Sequence, residues 1–250
     1  MLAGNIVQVR PERKALSAAV GPTCCSGREQ RSKTAFAGGA IPIRLLPAIR
    51  LLPAIRLLPV KATLRKQLRG QRRALSASQH RDRSLAAATA ITRLRFFRAG
   101  SRVALYLPFD RELDTAALIA AARRRGVQLF VPVISDRRHC RLRFYPLAGA
   151  TDPGAFGISV PRLRLTPISA QWLDLIVVPL VGVDGEGRRL GLGGGYYDRA
   201  LAFRRRRRCW KGPHLVGLAF DCQRTNLNFA DAWDVRLDSL ATESGVEHYL

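Results

Sequence analysis

Apolar and polar positions follow two regimes along the chain, and the change falls near residue 60. From there on the pattern is regular. Leu64, Leu68 and Leu75 recur at helical spacing, which predicts an amphipathic, basic helix over residues 61–75. Ser76 is the predicted N-cap of a second helix running to about residue 97. Residues 102–108 read as a short buried strand, 115–125 as a helix stopped by Gly126, and 127–134 and 141–145 as further strands. Residues 156–161 read as an irregular crossing. The run 173–183 is apolar almost throughout, the pattern of a strand buried on both faces of a parallel sheet. A glycine-rich loop, a helix from Tyr196 and a strand over 214–220 follow. This alternation predicts an α/β fold with a mostly parallel sheet and flanking helices. Ligands of such sheets gather beyond the carboxyl ends of strands. The glycine loop after Val183, the acidic loop after Leu107, and Asp221 after Phe220 all fall at such ends.

Residues 1–60 do not continue this pattern. Ile43-Arg-Leu-Leu-Pro-Ala48 is repeated at 49–54 and, ending in Val60, at 55–60. A proline in every copy is expected to stop a helix, because its ring removes an N–H and clashes with the preceding turn. An arginine in every copy rules out a membrane span. Residues 1–42 mix Gly, Ser, Arg and Pro without apolar periodicity, so disorder is expected. The domain organisation is therefore a leader over 1–60 and a folded domain over 61–250. An Arg-rich, acid-poor leader also fits an organelle transit peptide, against a default cytoplasmic location. A duplicated DNA unit read before the true start, near Leu58 or Val60, fits the repeat better still.

The 250 residues carry a formal charge of +24, which invites a nucleic-acid reading. Only five of the 42 basic residues are lysines, which suggests a coding bias towards arginine as much as selection for phosphate binding. The run of arginines at 204–208 reads as a solvated helix end. No RNA-binding aromatic signature or zinc-finger spacing accompanies it, so no specific nucleic-acid partner is expected. The five cysteines form no C-x-x-C pair, and the four histidines stand apart, which argues against a disulfide framework and a structural zinc site.

The chemistry concentrates in Arg188-Arg-Leu-Gly-Leu-Gly-Gly-Gly-Tyr-Tyr-Asp-Arg199. Four glycines in five positions let backbone N–H groups crowd around an anion. The helix opening at Tyr196 is expected to aim its positive end at the same place. Arginines, a carboxylate and two aromatics complete a set able to hold phosphate, a divalent cation and a flat ring. Neither a P-loop nor G-x-G-x-x-G is present. The plain alternative is a glycine-rich turn without a ligand. On spacing alone, Lys61 and Arg65 read as the solvated face of a helix.

Lys61-x-x-x-Arg65, Tyr106-Leu-Pro-Phe-Asp-Arg-Glu-Leu-Asp-Thr115, Asp174-Leu-Ile-Val-Val-Pro-Leu-Val-Gly-Val-Asp184, Arg189-Leu-Gly-Leu-Gly-Gly-Gly-Tyr-Tyr-Asp198 and Val216-Gly-Leu-Ala-Phe220 stand in this order. Together they resemble the 5-formyltetrahydrofolate cyclo-ligase (5,10-methenyltetrahydrofolate synthetase) family, whose fold is of the NagB-RpiA-CoA-transferase kind. The resemblance implies ATP- and Mg²⁺-dependent closure of 5-formyltetrahydrofolate to 5,10-methenyltetrahydrofolate, with release of ADP and phosphate, by a monomer. It places ATP against Lys61, Ala62, Thr63, Leu64 and Arg65, and against Arg189, Leu190, Gly191, Leu192, Gly193, Gly194, Gly195, Tyr196 and Tyr197. It places the folate against Arg65, Leu107, Glu112, Leu192, Gly193, Gly194, Gly195 and Tyr196, and Mg²⁺ against Asp198 and Asp234, with Asp231 or Asp238 as substitutes for Asp234. Arg189 and Arg199 are the candidates for transition-state charge. Gly194 stands where some members carry a phosphate-contacting lysine, so Arg188, Arg189 or Arg199 is expected to supply that charge. Leu192 stands where a longer polar or aromatic residue is common.

Two readings from other classes remain beside this one. A basic nucleic-acid-associated protein would bind polynucleotide and turn over no nucleotide. A sugar-phosphate isomerase or CoA transferase of similar architecture would use a strand-end glutamate and no ATP.

Overall fold

The computed structural model describes residues 7–8, 54–136, 138–147, 151–153, 159–161, 165–206, 212–229, 231 and 233–249. In chain order the elements are β1 (Val7–Gln8), α1 (Ala54–Ala74), α2 (Ala77–Thr92), β2 (Arg102–Ala104), α3 (Ala116–Arg124), β3 (Gln128–Asp136) and β4 (Arg141–Pro146). There follow β5 (Thr151–Pro153), β6 (Ser159–Pro161), β7 (Leu175–Pro179), β8 (Gly182–Val183), β9 (Arg189–Leu190), α4 (Tyr196–Ala200), β10 (His214–Leu218), β11 (Ser239–Thr242) and β12 (Gly245–His248). The predicted α/β architecture is present. The main sheet runs β1-β3-β2-β7-β10-β11-β12, with β4 also on β3. Every pairing from β3 to β11 along this path is parallel, and β12 and β4 close the flanks antiparallel.

The long apolar run divides its side chains between two cores. Leu175 and Val177 join the face covered by α2 and α3, where Ala87, Ala88, Ile91, Leu118 and Ala122 pack. Ile176 and Val178 join the other face with Phe144, Tyr197 and Leu201. Burial on both faces explains why this strand shows no polar alternation. The run does not form one strand over 173–183, because the chain breaks after Pro179 and β8 turns into a hairpin with β9. Gln223, itself buried, donates from Nε2 to the carbonyls of Leu180 and Val181 at 3.0 Å each and satisfies the backbone at that break.

Helix α1 packs Leu64 and Leu68 against Val181, Leu190 and Phe229. It approaches so closely that a Cβ on Gly182 would overlap Leu68 Cδ1, so a larger residue there would push the leucine side chain aside. Ser76 caps α2 as expected, accepting from the Gln79 N–H in a reciprocal capping box.

Two expectations for the leader are corrected. Helix α1 begins at Ala54, so the third repeat copy is helical despite Pro59. Pro59 is the sixth residue of the helix, beyond the four whose N–H groups lack a partner in any case, so the helix forgoes the bond to the Ile55 carbonyl. In addition, Val7 and Gln8 pair parallel with Val133 and Ile134 of β3. Since β4 occupies the other edge of β3 there, β1 continues the edge that β2 leaves at Ala104. The first two repeat copies and most of the leader lie outside the described residues. Three sequence boundaries shift as well. Helix α2 stops at Thr92, α4 has only five residues, and β11 and β12 are added.

Candidate functional site

Helix α1 lies across the carboxyl ends of the sheet and touches all three strand-end loops. Its buried stripe reads Lys61, Leu64, Leu68, Arg72, so the apolar positions are bracketed by two buried cations. At one end Lys61 donates from Nζ to Asp231 at 2.6 Å, with Asp234 Oδ2 at 3.7 Å. In the middle Arg65 donates from Nε to the Gly191 carbonyl at 2.8 Å. At the other end Arg69, Arg72 and Arg73 converge on Asp110. The turn Asp221–Gln223 also packs on α1.

The glycine loop runs from Gly191 to Gly195. Gly193 and Gly195 have φ of +100° and +64°, which side chains other than glycine rarely adopt. The Arg65 guanidinium lies under Gly193, 3.6 Å from where a Cβ would sit. Burial holds the Arg65 pKa below the usual guanidinium value, with Asp234 partly opposing the shift. Arg199 reaches back with Nη1 3.4 Å from the Gly194 carbonyl. Among the described residues neither Arg65 nor Arg199 has a carboxylate within ion-pair distance. Two unneutralised guanidinium groups therefore flank a backbone turn, an arrangement suited to phosphate. The five-residue α4 is too short for the expected helix-dipole contribution to matter.

The sequence-proposed residues divide in the structure. Leu64 and Leu190 are core side chains, and Ala62 and Thr63 point to solvent on α1. Leu192 is exposed. Tyr197 is buried beneath the Arg189 guanidinium, 5.5 Å from its ring centre, and burial pushes its hydroxyl well above the ordinary tyrosine pKa. Tyr196 is half-buried beside Gly194. Arg189 is buried and paired with Asp198 at 2.5 Å, with Nη1 3.3 Å from where a Cβ on Gly191 would sit, while Arg188 pairs with Glu186 at 2.7 Å. Of the three arginines expected to replace the missing lysine at Gly194, only Arg199 faces it.

Asp198 Oδ1 also accepts from the Val235 N–H at 3.3 Å, which brings it beside Asp234. Asp238 sits elsewhere: it pairs with Arg204 at 2.8 Å and accepts from the Leu215 N–H at the start of β10. That excludes it from the locus. It also corrects the reading of the arginine run as solvated at one position: the Arg204 side chain is largely buried, whereas Arg205 is exposed and donates to the Trp233 carbonyl at 2.6 Å, and residues 207–208 lie outside the described residues. No group of three or more His, Cys, Asp and Glu gathers among the described residues. Asp198 and Asp234 each engage one oxygen, Oδ1 and Oδ2 respectively, and keep the other for a further ligand. Two carboxylates beside the glycine loop fit Mg²⁺, a hard cation that takes carboxylate oxygens and completes its shell with water.

Glu112 is buried, with Oε2 accepting from the Phe109 N–H at 3.3 Å and Oε1 4.0 Å from Arg72. Leu107 packs at the edge of the same core. The turn before Glu112 holds Asp110 and Arg111 at φ of +50° and +57°. The three-arginine clamp on Asp110 supplies what keeps these residues there.

A model of the 5-formyltetrahydrofolate cyclo-ligase family matches residues 58–243. The chain belongs to that family. Among its relatives, the 5-formyltetrahydrofolate cyclo-ligase of Escherichia coli (strain K12) is 33% identical over 184 residues, 72% of this chain and 98% of that protein. The Haemophilus influenzae enzyme of the same name is 31% identical over 179 residues, 70% of this chain and 92% of its own. A solved 5,10-methenyltetrahydrofolate synthetase from Aquifex aeolicus superimposes with a TM-score of 0.62 at 28% identity, covering 76% of this chain and 92% of that one. The family match begins at residue 58, within α1, in keeping with a helix that starts before Lys61. No described helix is long and apolar enough to cross a membrane.

Proposed function

We propose that this protein is an ATP-dependent ligase closing 5-formyltetrahydrofolate to 5,10-methenyltetrahydrofolate, with Lys61, Arg65, Arg199 and the glycine loop gripping the nucleotide. Family membership carries the reaction. The observation that supports the site is the pair of unneutralised guanidiniums, Arg65 and Arg199, flanking a turn whose backbone is open to an anion.

The reaction demands such a site. A formyl oxygen is a poor leaving group until the terminal phosphoryl group of ATP is transferred to it. Attack by N10 on the activated carbon then expels that oxygen as phosphate. Charge spreads over the moving phosphoryl oxygens, and catalysis rests on fixed donors around them. Arg65 is held by Gly191 and half-buried, so it costs little reorganisation when the phosphates arrive. Arg189 is a positioning residue in this reading, holding the Asp198 carboxylate. Mg²⁺, held by the open oxygens of Asp198 and Asp234, would offset phosphate charge. Glu112, buried and fixed by Arg72, suits the donor edge of an amino-pyrimidinone ring.

The test mixes the full chain with ATP, Mg²⁺ and 5-formyltetrahydrofolate and follows the absorbance of the methenyl product. Product is expected only when all three are present. Absence of product from folded protein, or product without ATP, overturns the reading.

A further inference from the structure

The parallel strands β3, β2, β7, β10 and β11 all begin at the pole of the sheet opposite α1. Two connections meet there, residues 93–101 from α2 to β2 and residues 125–127 from α3 to β3. The Gly100 N–H donates to the Gly126 carbonyl at 2.9 Å and joins them. Arg125 bridges them a second time, donating from Nη1 to the Thr92 carbonyl with its guanidinium 5.8 Å from the Phe97 ring centre. On this joined surface Arg93, Arg95, Arg98, Arg123, Arg124 and Arg125 are all exposed.

Nothing offsets this charge. Among the described residues, none of the six arginines has a carboxylate within ion-pair distance. Two acids at the same pole are already paired, Asp174 with Arg102 at 3.8 Å and Asp238 with Arg204 at 2.8 Å. At the other pole carboxylates meet the cations: Asp110 on α1, Asp198 and Asp234 beside the glycine loop, Asp221 and Glu243 beyond β10 and β11. A helix dipole accommodates cations in its last turn, which accounts for Arg123 and Arg124 on α3. It does not account for Arg95 and Arg98, which lie past the end of α2. Like charges gathered on one surface repel one another, and an anionic partner relieves that repulsion.

Aromatic surface borders the cluster. Phe96 is half-buried, stacked on His214 with ring centres 4.6 Å apart, and the Arg95 guanidinium lies 4.7 Å from its ring centre. Trp172, two residues before the Asp174 that meets Arg102, is 52% exposed. We propose that this pole binds single-stranded nucleic acid by its phosphodiester backbone, with an unpaired base stacked on Trp172. Guanidinium groups meet phosphate oxygens through paired, parallel hydrogen bonds. An exposed aromatic face accepts any base, so neither contact reads sequence. A duplex hides its base faces, and an acidic peptide has none. An anionic membrane would call for an apolar face, and the two connections expose no large apolar side chain.

The experiment follows the fluorescence anisotropy of labelled oligouridylate and oligodeoxythymidylate, each of about 16 nucleotides, with the full chain over a salt series. The tighter of the two tells whether RNA or DNA is the source. Arg93→Gln/Arg98→Gln/Arg123→Gln/Arg124→Gln removes four side chains that have no partner among the described residues, so the melting temperature should hold. Each phosphate contact with a single strand adds about 0.7 to the salt slope of log affinity, so this variant should flatten the slope by about 3 and weaken binding roughly a hundredfold near 0.1 M salt. A control, Lys66→Gln/Arg81→Gln/Arg138→Gln/Arg141→Gln, removes the same charge from other exposed positions and should cost no more than about twofold. Trp172→Ala should weaken binding about tenfold and leave the slope unchanged. A pole variant that melts early is replaced by Arg123→Gln/Arg124→Gln, for which half the flattening is expected. Equal losses in the pole and control variants overturn the proposal, because net charge alone would then bind the strand. So does natural affinity in Trp172→Ala, or oligoaspartate of the same length bound as tightly as the oligonucleotides. Binding of phosphatidylglycerol vesicles in place of the oligonucleotides gives the pole to a membrane and overturns it too.

Discussion

Arg65 donates from Nε to the carbonyl of Gly191 at 2.8 Å, joining α1 to the loop that follows β9. One side chain thus fixes the loop and presents an unneutralised charge beneath Gly193. Lysine at this position keeps the charge but cannot donate sideways from the stem and face Gly193 at once. Arg65→Lys is expected to raise the KM for ATP roughly tenfold, the equivalent of about 1.4 kcal/mol, with a smaller change in melting temperature. Steady-state kinetics at saturating folate read this directly, and an unchanged KM would detach Arg65 from the nucleotide.

Asp198→Asn tests the carboxylate beside the loop. Asparagine retains an acceptor for Arg189 but leaves a buried guanidinium without its counter-charge. The variant should lose about 1–3 kcal/mol of stability. Its turnover should fall steeply and recover in part at high Mg²⁺, because a hard cation loses an anionic oxygen. Superimposable Mg²⁺ titrations of variant and natural protein would leave Asp198 a structural partner of Arg189 only.

Much of this site is visible in the sequence, and what is not has a physical reason. The glycine loop declares itself because few other sequences permit positive φ at Gly193 and Gly195 so close to a buried strand. Lys61 and Arg72 do not, because burial of a cation inside an apolar stripe reads as a polar face. The signal was their spacing from Leu64 and Leu68, which puts all four on one side of α1. Arg188 and Arg189 are adjacent in sequence, and only tertiary contacts send one to Glu186 and the other to Asp198. The reach of α1 back to Ala54 was hidden by Pro59, because a proline past the first turn ordinarily ends a helix. The pairing of Val7 with Val133 spans over a hundred residues and leaves no local pattern.

The leader can be divided by truncation. A chain beginning at residue 54 keeps α1 whole and, among the described residues, loses the two-residue β1 pairing, so its melting temperature should fall by a few degrees at most. A chain beginning at Lys61 puts that lysine at a frayed helix end. Its N–H groups lose their place in the helix, and the contact with Asp231 should weaken, raising the KM for ATP. Equal KM values for the two truncations would show that the helical third repeat does nothing for the site.

Asp110 gives the fold a dependence on acid. Burial pushes its carboxyl up, but hydrogen bonds from Arg73 and Arg69 outweigh this and hold it below its ordinary value of 3.8. A depressed carboxyl stabilises the folded state above the ordinary pKa and loses that contribution as pH falls through the folded one. Asp110→Asn should therefore melt below the natural protein at pH 7, and the gap should close as the pH drops beneath about 4. A gap independent of pH would mean that shape, not charge, holds the Asp110–Arg111 turn.

The loop itself offers the most direct measurement: phosphate released per methenyl product formed, in the natural protein and in Gly193→Val. Valine is β-branched and disfavoured at φ of +100°, and its side chain would crowd the Arg65 guanidinium. The natural protein should release one phosphate per ring closed. The variant should remain folded and lose both activities together, with ATP affinity reduced more than folate affinity. Ring closure that continues in Gly193→Val with ATP affinity intact, or in the natural protein without phosphate release, would contradict the glycine loop as the phosphate cradle of this reaction.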